Sequence, residues 1–150
     1  MTRGLRFKCM ALVIGLATLA PMLLAEGIPV GNWVRRPTKG GVVVTMLVES
    51  AGAGQKLTYK ITAPNGTSTM IMTTQYDGKD AQVYVDGKPS GETMAIRKVD
   101  DHHTTNVIKM NGNPFATQKS ELSADGKVIK VESTPTGPGG QGGTEYWDKK

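Results

Sequence analysis

The most informative pattern lies in residues 56–87, which read KLTYKITAPNGTSTMIMTTQYDGKDAQVYVDG. Leu57, Tyr59 and Ile61 alternate with polar residues, as expected for a strand that buries one face. Asn-Gly and Asp-Gly pairs divide the stretch, and these dipeptides suit the positive φ angles of tight hairpin turns. The stretch therefore predicts consecutive antiparallel strands joined by short turns.

The same turn signal continues along the chain. It recurs at Asn65-Gly66, Asp77-Gly78, Asp86-Gly87, Asn111-Gly112 and Asp125-Gly126. The gaps leave room for little more than two half-strands each, and no helical periodicity of useful length follows residue 25. A meander of this size removes its exposed edges most simply by closing. We therefore predict an all-β protein, a single antiparallel meander β-barrel of about eight to ten strands.

The first 25 residues have the composition of a cleaved signal peptide. Three basic residues among the first eight precede an apolar run from Cys9 to Leu24, and Ala25 is a small residue suited to cleavage. The run is short for a membrane span, and Pro21 interrupts it. We predict a signal peptide at 1–25, a barrel domain at 26–150, and a secreted or periplasmic bacterial protein with no stable membrane insertion after cleavage. An uncleaved membrane anchor is the alternative.

Charge and cysteine content narrow the function classes. The chain carries 18 basic and 13 acidic residues, but three of the basic residues precede residue 26 and every acidic residue follows residue 25. The remaining charges nearly balance and are interspersed, unlike the dense basic face of a nucleic-acid-binding protein. The single cysteine, Cys9, lies in the predicted signal peptide. The exported domain is therefore expected to depend on its core rather than on disulfides.

Residues that carry chemistry are few. Residues 100–103 read Asp-Asp-His-His, but adjacent histidines on a strand point to opposite faces and do not share one ion. Met70 and Met72 flank an isoleucine, without the further soft ligand that copper requires. The sequence contains neither Gly-x-Ser-x-Gly nor His-Glu-x-x-His. We predict no enzymatic activity, no metal site and no cofactor.

Residues 135–143 read PTGPGGQGG, and their prolines and glycines oppose regular structure. We predict a disordered loop tip before the last strand. Gly-rich loops also occur in phosphate sites, but those loops lead into a helix N-terminus, whereas this one leads into a short strand.

Two segments carry a family resemblance: Gly31-Asn32-Trp33, and residues 144–149, which read TEYWDK. A Gly-x-Trp on the first strand, followed by an antiparallel meander and a short last strand, resembles the calycin group of lipocalins, fatty-acid-binding proteins and small secreted bacterial lipocalin-like proteins. The resemblance covers nearly all of residues 26–150. It implies that Trp33 closes the barrel floor under a basic side chain of the last strand, Lys149 or Lys150. The barrel-closure residues that it implies are Gly31, Trp33, Trp147 and Lys149.

The sequence departs from this group in two places. Fatty-acid-binding proteins hold the ligand carboxylate with an Arg-x-Tyr on the final strand, and the matching positions here are Glu145, Tyr146 and Trp147. An acid in place of that arginine repels a carboxylate. Those proteins also insert two helices between the first two strands, for which the segment at 37–40 is too short. Any ligand is therefore expected to be neutral or to be bound in another way.

Medium-sized apolar side chains, many of them methionines, are the candidate cavity wall. Flexible thioethers suit a cavity for irregular guests, and equally an ordinary core with few aromatic residues. We predict a secreted, non-enzymatic barrel that binds a small apolar or lipid-like ligand in its interior. The alternative is an envelope structural or protein-interaction module whose core is filled by its own side chains. The candidate wall residues are Met46, Leu57, Tyr59, Ile61, Met70, Met72, Met94, Ile96 and Met110.

Overall fold

The computed structural model describes residues 27–150, so the predicted signal peptide lies outside the described residues. Within these residues the chain forms ten strands. The same residues contain no helix that is long and apolar enough to cross a membrane. The strands are β1 (Gly31–Arg35), β2 (Val43–Ala51), β3 (Gly54–Ala63), β4 (Gly66–Thr74), β5 (Asp77–Val85), β6 (Lys88–Lys98), β7 (His103–Met110), β8 (Asn113–Leu122), β9 (Val128–Pro135) and β10 (Gly143–Lys149).

Every strand pairs with its sequence neighbours, and β1 pairs with β10 to close the barrel. All of these pairings are antiparallel. The β2–β3 ladder runs without interruption from Val43 opposite Thr62 to Ala51 opposite Gly54. The predicted all-β meander barrel is therefore confirmed, with ten strands and full closure.

Two of the predicted turns have the geometry of the tightest hairpins. Asp86 and Gly87 have φ angles of 49° and 80°, and Asn111 and Gly112 have φ angles of 49° and 82°. A type I′ turn requires positive φ at both central residues, which Asn-Gly and Asp-Gly tolerate best.

The predicted turn at Asp77-Gly78 is wrong by two residues, because residues 75 and 76 join β4 to β5. Asp77 already begins β5, and the chain reverses at Tyr76, whose φ is 57°. The Tyr76 ring is buried, and its hydroxyl donates to Gln55 Oε1 at 2.6 Å. This long-range contact holds the turn in place against the local preference of the Asp-Gly pair.

The densest part of the core lies at one end of the barrel. The side chains buried there almost completely are Trp33, Val48, Leu57, Met72 and Val83. Residues 27–30 cross beneath them, and Trp33 Nε1 donates to the Pro29 carbonyl at 3.0 Å while Gln55 Nε2 donates to the Ile28 carbonyl at 2.7 Å. We call this closed end the floor, and the opposite end, where the β9–β10 connection lies, the mouth.

Candidate functional site

A cavity of about 290 Å³ lies inside the barrel between floor and mouth. It is roughly twice the ~150 Å³ of an engineered cavity that binds benzene, and it is close to the lower end of small-molecule pockets, about 300 Å³. One side, which we call the apolar wall, is formed mainly by inward-facing residues of β2, β3, β4 and β6. Its members are Val42, Val44, Met46, Leu57, Tyr59, Ile61, Met70, Met94 and Ile96.

The structure places seven of the nine candidate wall residues on this wall, and Met72 and Met110 elsewhere. Met72 shares the inward face of β4 with Met70, but it is 1% exposed and packs in the core nearer the floor. Met110 ends β7 and is 39% exposed. These two placements were predicted wrongly, because strand alternation identifies the face of a residue but not its depth along the barrel.

A polar wall, which the sequence analysis missed, faces the cavity from β7 and β8. It consists of Thr104, Asn106, Gln118 and Ser120. Asn106 Nδ2 donates to Gln118 Oε1 at 3.1 Å, and Gln118 Nε2 donates to Ser133 Oγ on β9 at 3.0 Å. A signal existed in the sequence, since Asn106 precedes Ile108 by two residues and must share its face. The interior therefore has hydrogen-bonding side chains on β7 and β8, and the lining is apolar again at Ile129, Val131 and Trp147 on β9 and β10.

Arg35 and Glu145 form an ion pair inside the barrel. Arg35 Nη1 lies 3.3 Å from Glu145 Oε2, and the two side chains are 20% and 29% exposed. Trp147 Nε1 donates to the other oxygen, Glu145 Oε1, at 3.1 Å. The acid that the sequence placed at the arginine position of fatty-acid-binding proteins is thus balanced by a cation from β1.

Two tyrosines stand at the cavity as neutral phenols. The Tyr59 ring meets Trp147 edge to face, with centroids 5.9 Å apart and planes at 73°. Burial raises the pKa of Tyr59 well above its ordinary value, and the nearby Tyr76 and Glu145 raise it further. Burial also raises the pKa of Tyr76 to about 12. Neither hydroxyl ionises in the folded protein near neutral pH.

The four predicted closure residues lie on the first and last strands, where β1 meets β10. Trp33 is opposite Lys149, and Arg35 is opposite Trp147. The predicted cation over Trp33 is wrong: in residues 27–150 the ring beneath a cation is that of Tyr146, whose centroid is 5.0 Å from Arg36 Cζ. Trp33 is fully enclosed by the core, and the Lys149 side chain extends over Gly31 instead, with Cε 3.5 Å from where a Cβ would stand.

No family model matches the sequence, and a search of the curated proteins finds no match. Among solved structures, the chain is similar to a mutant of the fluorescent protein UnaG, with a TM-score of 0.53 and 15% identity. The match covers 81% of this chain and 95% of that chain. The fold is calycin-like. At this identity the likeness establishes the fold alone, so the chemistry of the interior rests on the residues of this chain.

The calycin-like barrel opens at its mouth into a second chamber of about 600 Å³, the mouth chamber. Arg35, Val42, Gln118 and Glu145 line both the cavity and the mouth chamber. The ion pair therefore lies at the boundary between the two spaces. Glu92 of β6 also lines the mouth chamber, and partial burial raises its pKa.

The Gly-rich connection is docked at the mouth, so the predicted disordered tip is wrong. The backbone N–H groups of Thr136 and Gly137 donate to the Phe115 carbonyl at 2.9 and 3.3 Å. Gly140 approaches the same carbonyl so closely that an added Cβ would clash with it. Glycine, expected to loosen this segment, is what allows its backbone to lie against β8.

The polar cluster at residues 100–103 lies at the floor end of the calycin-like barrel. Asp100 Oδ1 accepts hydrogen bonds from the backbone N–H groups of His102 and His103, both at 2.8 Å. The bond from His102, together with the side chain of His103, lowers the pKa of Asp100. His102 Nδ1 lies 3.0 Å from the Leu122 carbonyl oxygen. Across residues 27–150, no group of three or more histidine, cysteine or acidic side chains is placed to hold a metal ion.

Proposed function

We propose that this protein is a secreted or periplasmic, non-enzymatic barrel that binds a small, largely apolar molecule in its interior. The observation that carries the proposal is the cavity of about 290 Å³, with an apolar wall on one side and a few convergent polar groups on the other. Concave sites of this composition are the usual small-molecule sites of proteins. A core completely filled by its own side chains would leave no such space.

The state of the polar groups supports binding rather than catalysis. Both oxygens of Glu145 accept hydrogen bonds, from Arg35 and from Trp147, so this carboxylate is already engaged. The two buried tyrosines remain neutral, because burial raises their pKa values. The cavity lining within residues 27–150 includes neither histidine nor cysteine. A general base or nucleophile needs a group held ready for proton transfer or attack.

Export rests on the basic start and apolar run of residues 1–25. N-terminal sequencing of protein collected outside the cytoplasm tests it directly. A mature chain that begins at Glu26 supports export with cleavage. A chain that retains Met1 in the membrane fraction contradicts it and favours the uncleaved anchor.

Two neighbouring methionines give a matched test of the cavity. Met70 lines the cavity, whereas Met72, on the same face of the same strand, is packed in the core. We expect Met70→Trp to fill the cavity and abolish saturable binding of an environment-sensitive apolar dye, at little cost in stability. Met72→Trp should instead overpack the core and cost about 1–3 kcal/mol of unfolding free energy.

The parent protein is measured in two ways. Dye binding at a single site, together with a co-purifying small molecule in native mass spectrometry of protein from its own host, supports the proposal. Absence of both contradicts it and favours an envelope structural or protein-interaction module. Equal destabilisation by the two tryptophan substitutions would also show that Met70 adjoins no usable space.

A further inference from the structure

The guanidinium of Arg35 is only partly used by the protein. Its Nη1 donates to Glu145 Oε2 at 3.3 Å, while its buried Nε has no hydrogen-bond partner among residues 27–150. A guanidinium carries five N–H donors, and the edge formed by Nε and Nη2 matches an oxygen acceptor. A buried donor without a partner destabilises the folded protein, so a ligand that supplies an acceptor gains from it. Arg35 therefore carries an unpaired N–H donor at the boundary between cavity and mouth chamber.

The charge at this boundary is already balanced. Glu145 lies 3.3 Å from Arg35 and also accepts from Trp147. A ligand carboxylate placed on Arg35 would bring a second negative charge beside Glu145 in a partly buried site, where like charges repel strongly. An uncharged oxygen acceptor avoids that repulsion. The ion pair thus favours a neutral polar group over an acid.

The polar wall has a second unfilled position at Asn106. Its Nδ2 donates to Gln118 Oε1 at 3.1 Å, and its buried Oδ1 has no partner among the described residues. In this orientation the wall requires a donor. If the amides of Asn106 and Gln118 were both flipped, the Ser133 hydroxyl would donate to Gln118 Oε1 instead of accepting from Nε2. Asn106 Nδ2 would then be the unpaired atom, and it would require an acceptor. A carboxamide supplies both kinds of group, so it satisfies Asn106 in either orientation.

We propose that the ligand is an uncharged molecule with an apolar body and a carboxamide-like polar group, of the amide or urea class, and that Arg35, Glu145 and Asn106 select it against the corresponding acid. The apolar body lies against the apolar wall, and the polar group meets the boundary. This inference rests on the proposed function. It adds the class of ligand and the residues that discriminate.

The test is competition between the apolar dye and two probes of equal chain length, octanamide and octanoate. We expect octanamide to displace the dye from the parent protein at about one-tenth of the octanoate concentration or less, the ratio for about 1.4 kcal/mol. Glu145→Gln leaves the Arg35 charge unbalanced and should reverse the preference in favour of octanoate. Glu132→Gln is the control, because it removes an exposed carboxylate that pairs with Lys130 outside the cavity.

A second variant tests the polar wall independently. We expect Asn106→Leu to weaken octanamide binding by about tenfold while dye affinity is retained. Equal binding of octanoate and octanamide to the parent, or an unchanged ratio in Glu145→Gln, would overturn the inference. Dye binding that neither probe displaces overturns it as well but leaves the proposed function standing. If the dye and both probes all fail to bind, the proposed function and the inference are both contradicted.

Discussion

The size of single inward-facing side chains determines which level of the barrel is packed and which level contains the cavity. Trp33 is fully buried in the floor, and its indole N–H donates to the Pro29 carbonyl at 3.0 Å. Met46 lies opposite Trp33 on β2 and Tyr59 lies opposite Met46 on β3, and both line the cavity. The largest side chain therefore closes one end, and medium-sized side chains leave space above it.

We expect Trp33→Ala to lower the free energy of unfolding by about 3–5 kcal/mol, the usual cost of removing a buried tryptophan or phenylalanine side chain. Domains of this kind have about 5–15 kcal/mol in total, so the variant should be barely folded. Chemical denaturation measures the change. Tyr84→Ala is the control, because Tyr84 is 42% exposed, and its effect should stay near 0.5 kcal/mol. Similar denaturation midpoints for the two variants would show that Trp33 does not hold the floor.

The strand pairs of the barrel differ in how many residues they pair. β2 and β3 pair along nearly their whole length, whereas β4 and β5 share only the pairs Met70–Val85 and Ile71–Tyr84. The β9–β10 connection has no ladder of its own, and it is held by the Phe115 carbonyl. The mouth is thus covered by an element attached through a few backbone contacts, which is the kind of segment that opens locally before the core does.

That attachment can be loosened by one methyl group. We expect Gly140→Ala to push the β9–β10 connection away from the Phe115 carbonyl, because the added Cβ has no room there. Stopped-flow measurement of dye release should then show faster dissociation, with the denaturation midpoint little changed because the barrel ladders are intact. Gly142→Ala is the control, since its Cβ would meet the Pro135 side chain at 3.0 Å and the Ser133 carbonyl oxygen at 3.4 Å, an ordinary contact distance, and does not approach the Phe115 carbonyl. Equal dye dissociation rates for the two variants would show that the β9–β10 connection does not control ligand release.

The whole molecule combines a solid floor with an amphipathic interior. The apolar wall comes mainly from β2, β3, β4 and β6, and the polar wall and ion pair come from β7, β8, β10 and β1. Closure of the sheet brings these two sides face to face across one cavity. The selectivity that we propose, for a ligand with a polar and an apolar side, follows from the arrangement of the whole barrel.

Alkaline unfolding should reflect the two buried phenols. Burial raises the pKa of both Tyr59 and Tyr76 above 10.0, the ordinary value, and that of Tyr76 to about 12. The unfolded chain therefore loses these protons at a lower pH than the folded protein does. Their contribution to stability is complete below pH 10 and declines as the pH rises towards about 12.

The measurement follows tyrosinate absorbance and circular dichroism together through an alkaline titration. Tyr84→Phe combined with Tyr146→Phe removes the two exposed phenols, so that the absorbance reports Tyr59 and Tyr76 alone. We expect absorbance and loss of strand signal to change in one cooperative step. Tyrosinate formation in a protein whose circular dichroism stays unchanged would show that these phenols ionise without unfolding.

Local patterns in the sequence predicted an antiparallel meander of about eight to ten strands and the inward face of most of them. Both follow from local rules, because alternation has a period of two and a pair such as Asn111-Gly112 meets a local dihedral requirement. The depth of each side chain along the barrel and the side chains that contact it depend on the tertiary structure. Met70 and Met72 have the same face and chemistry, yet one lines the cavity and the other fills the core.

The ion pair of the proposed selective site depends on closure of the barrel. Arg35 and Glu145 are 110 residues apart and meet only because β1 pairs with β10. The Gly-rich connection is likewise ordered by the Phe115 carbonyl of a different hairpin. Local pattern specifies strands and turns because each residue's dihedral angles and exposure depend on its immediate neighbours. Register around a closed sheet is a property of all ten strands together, so the pairing of charges across the closure was decided by the tertiary structure alone.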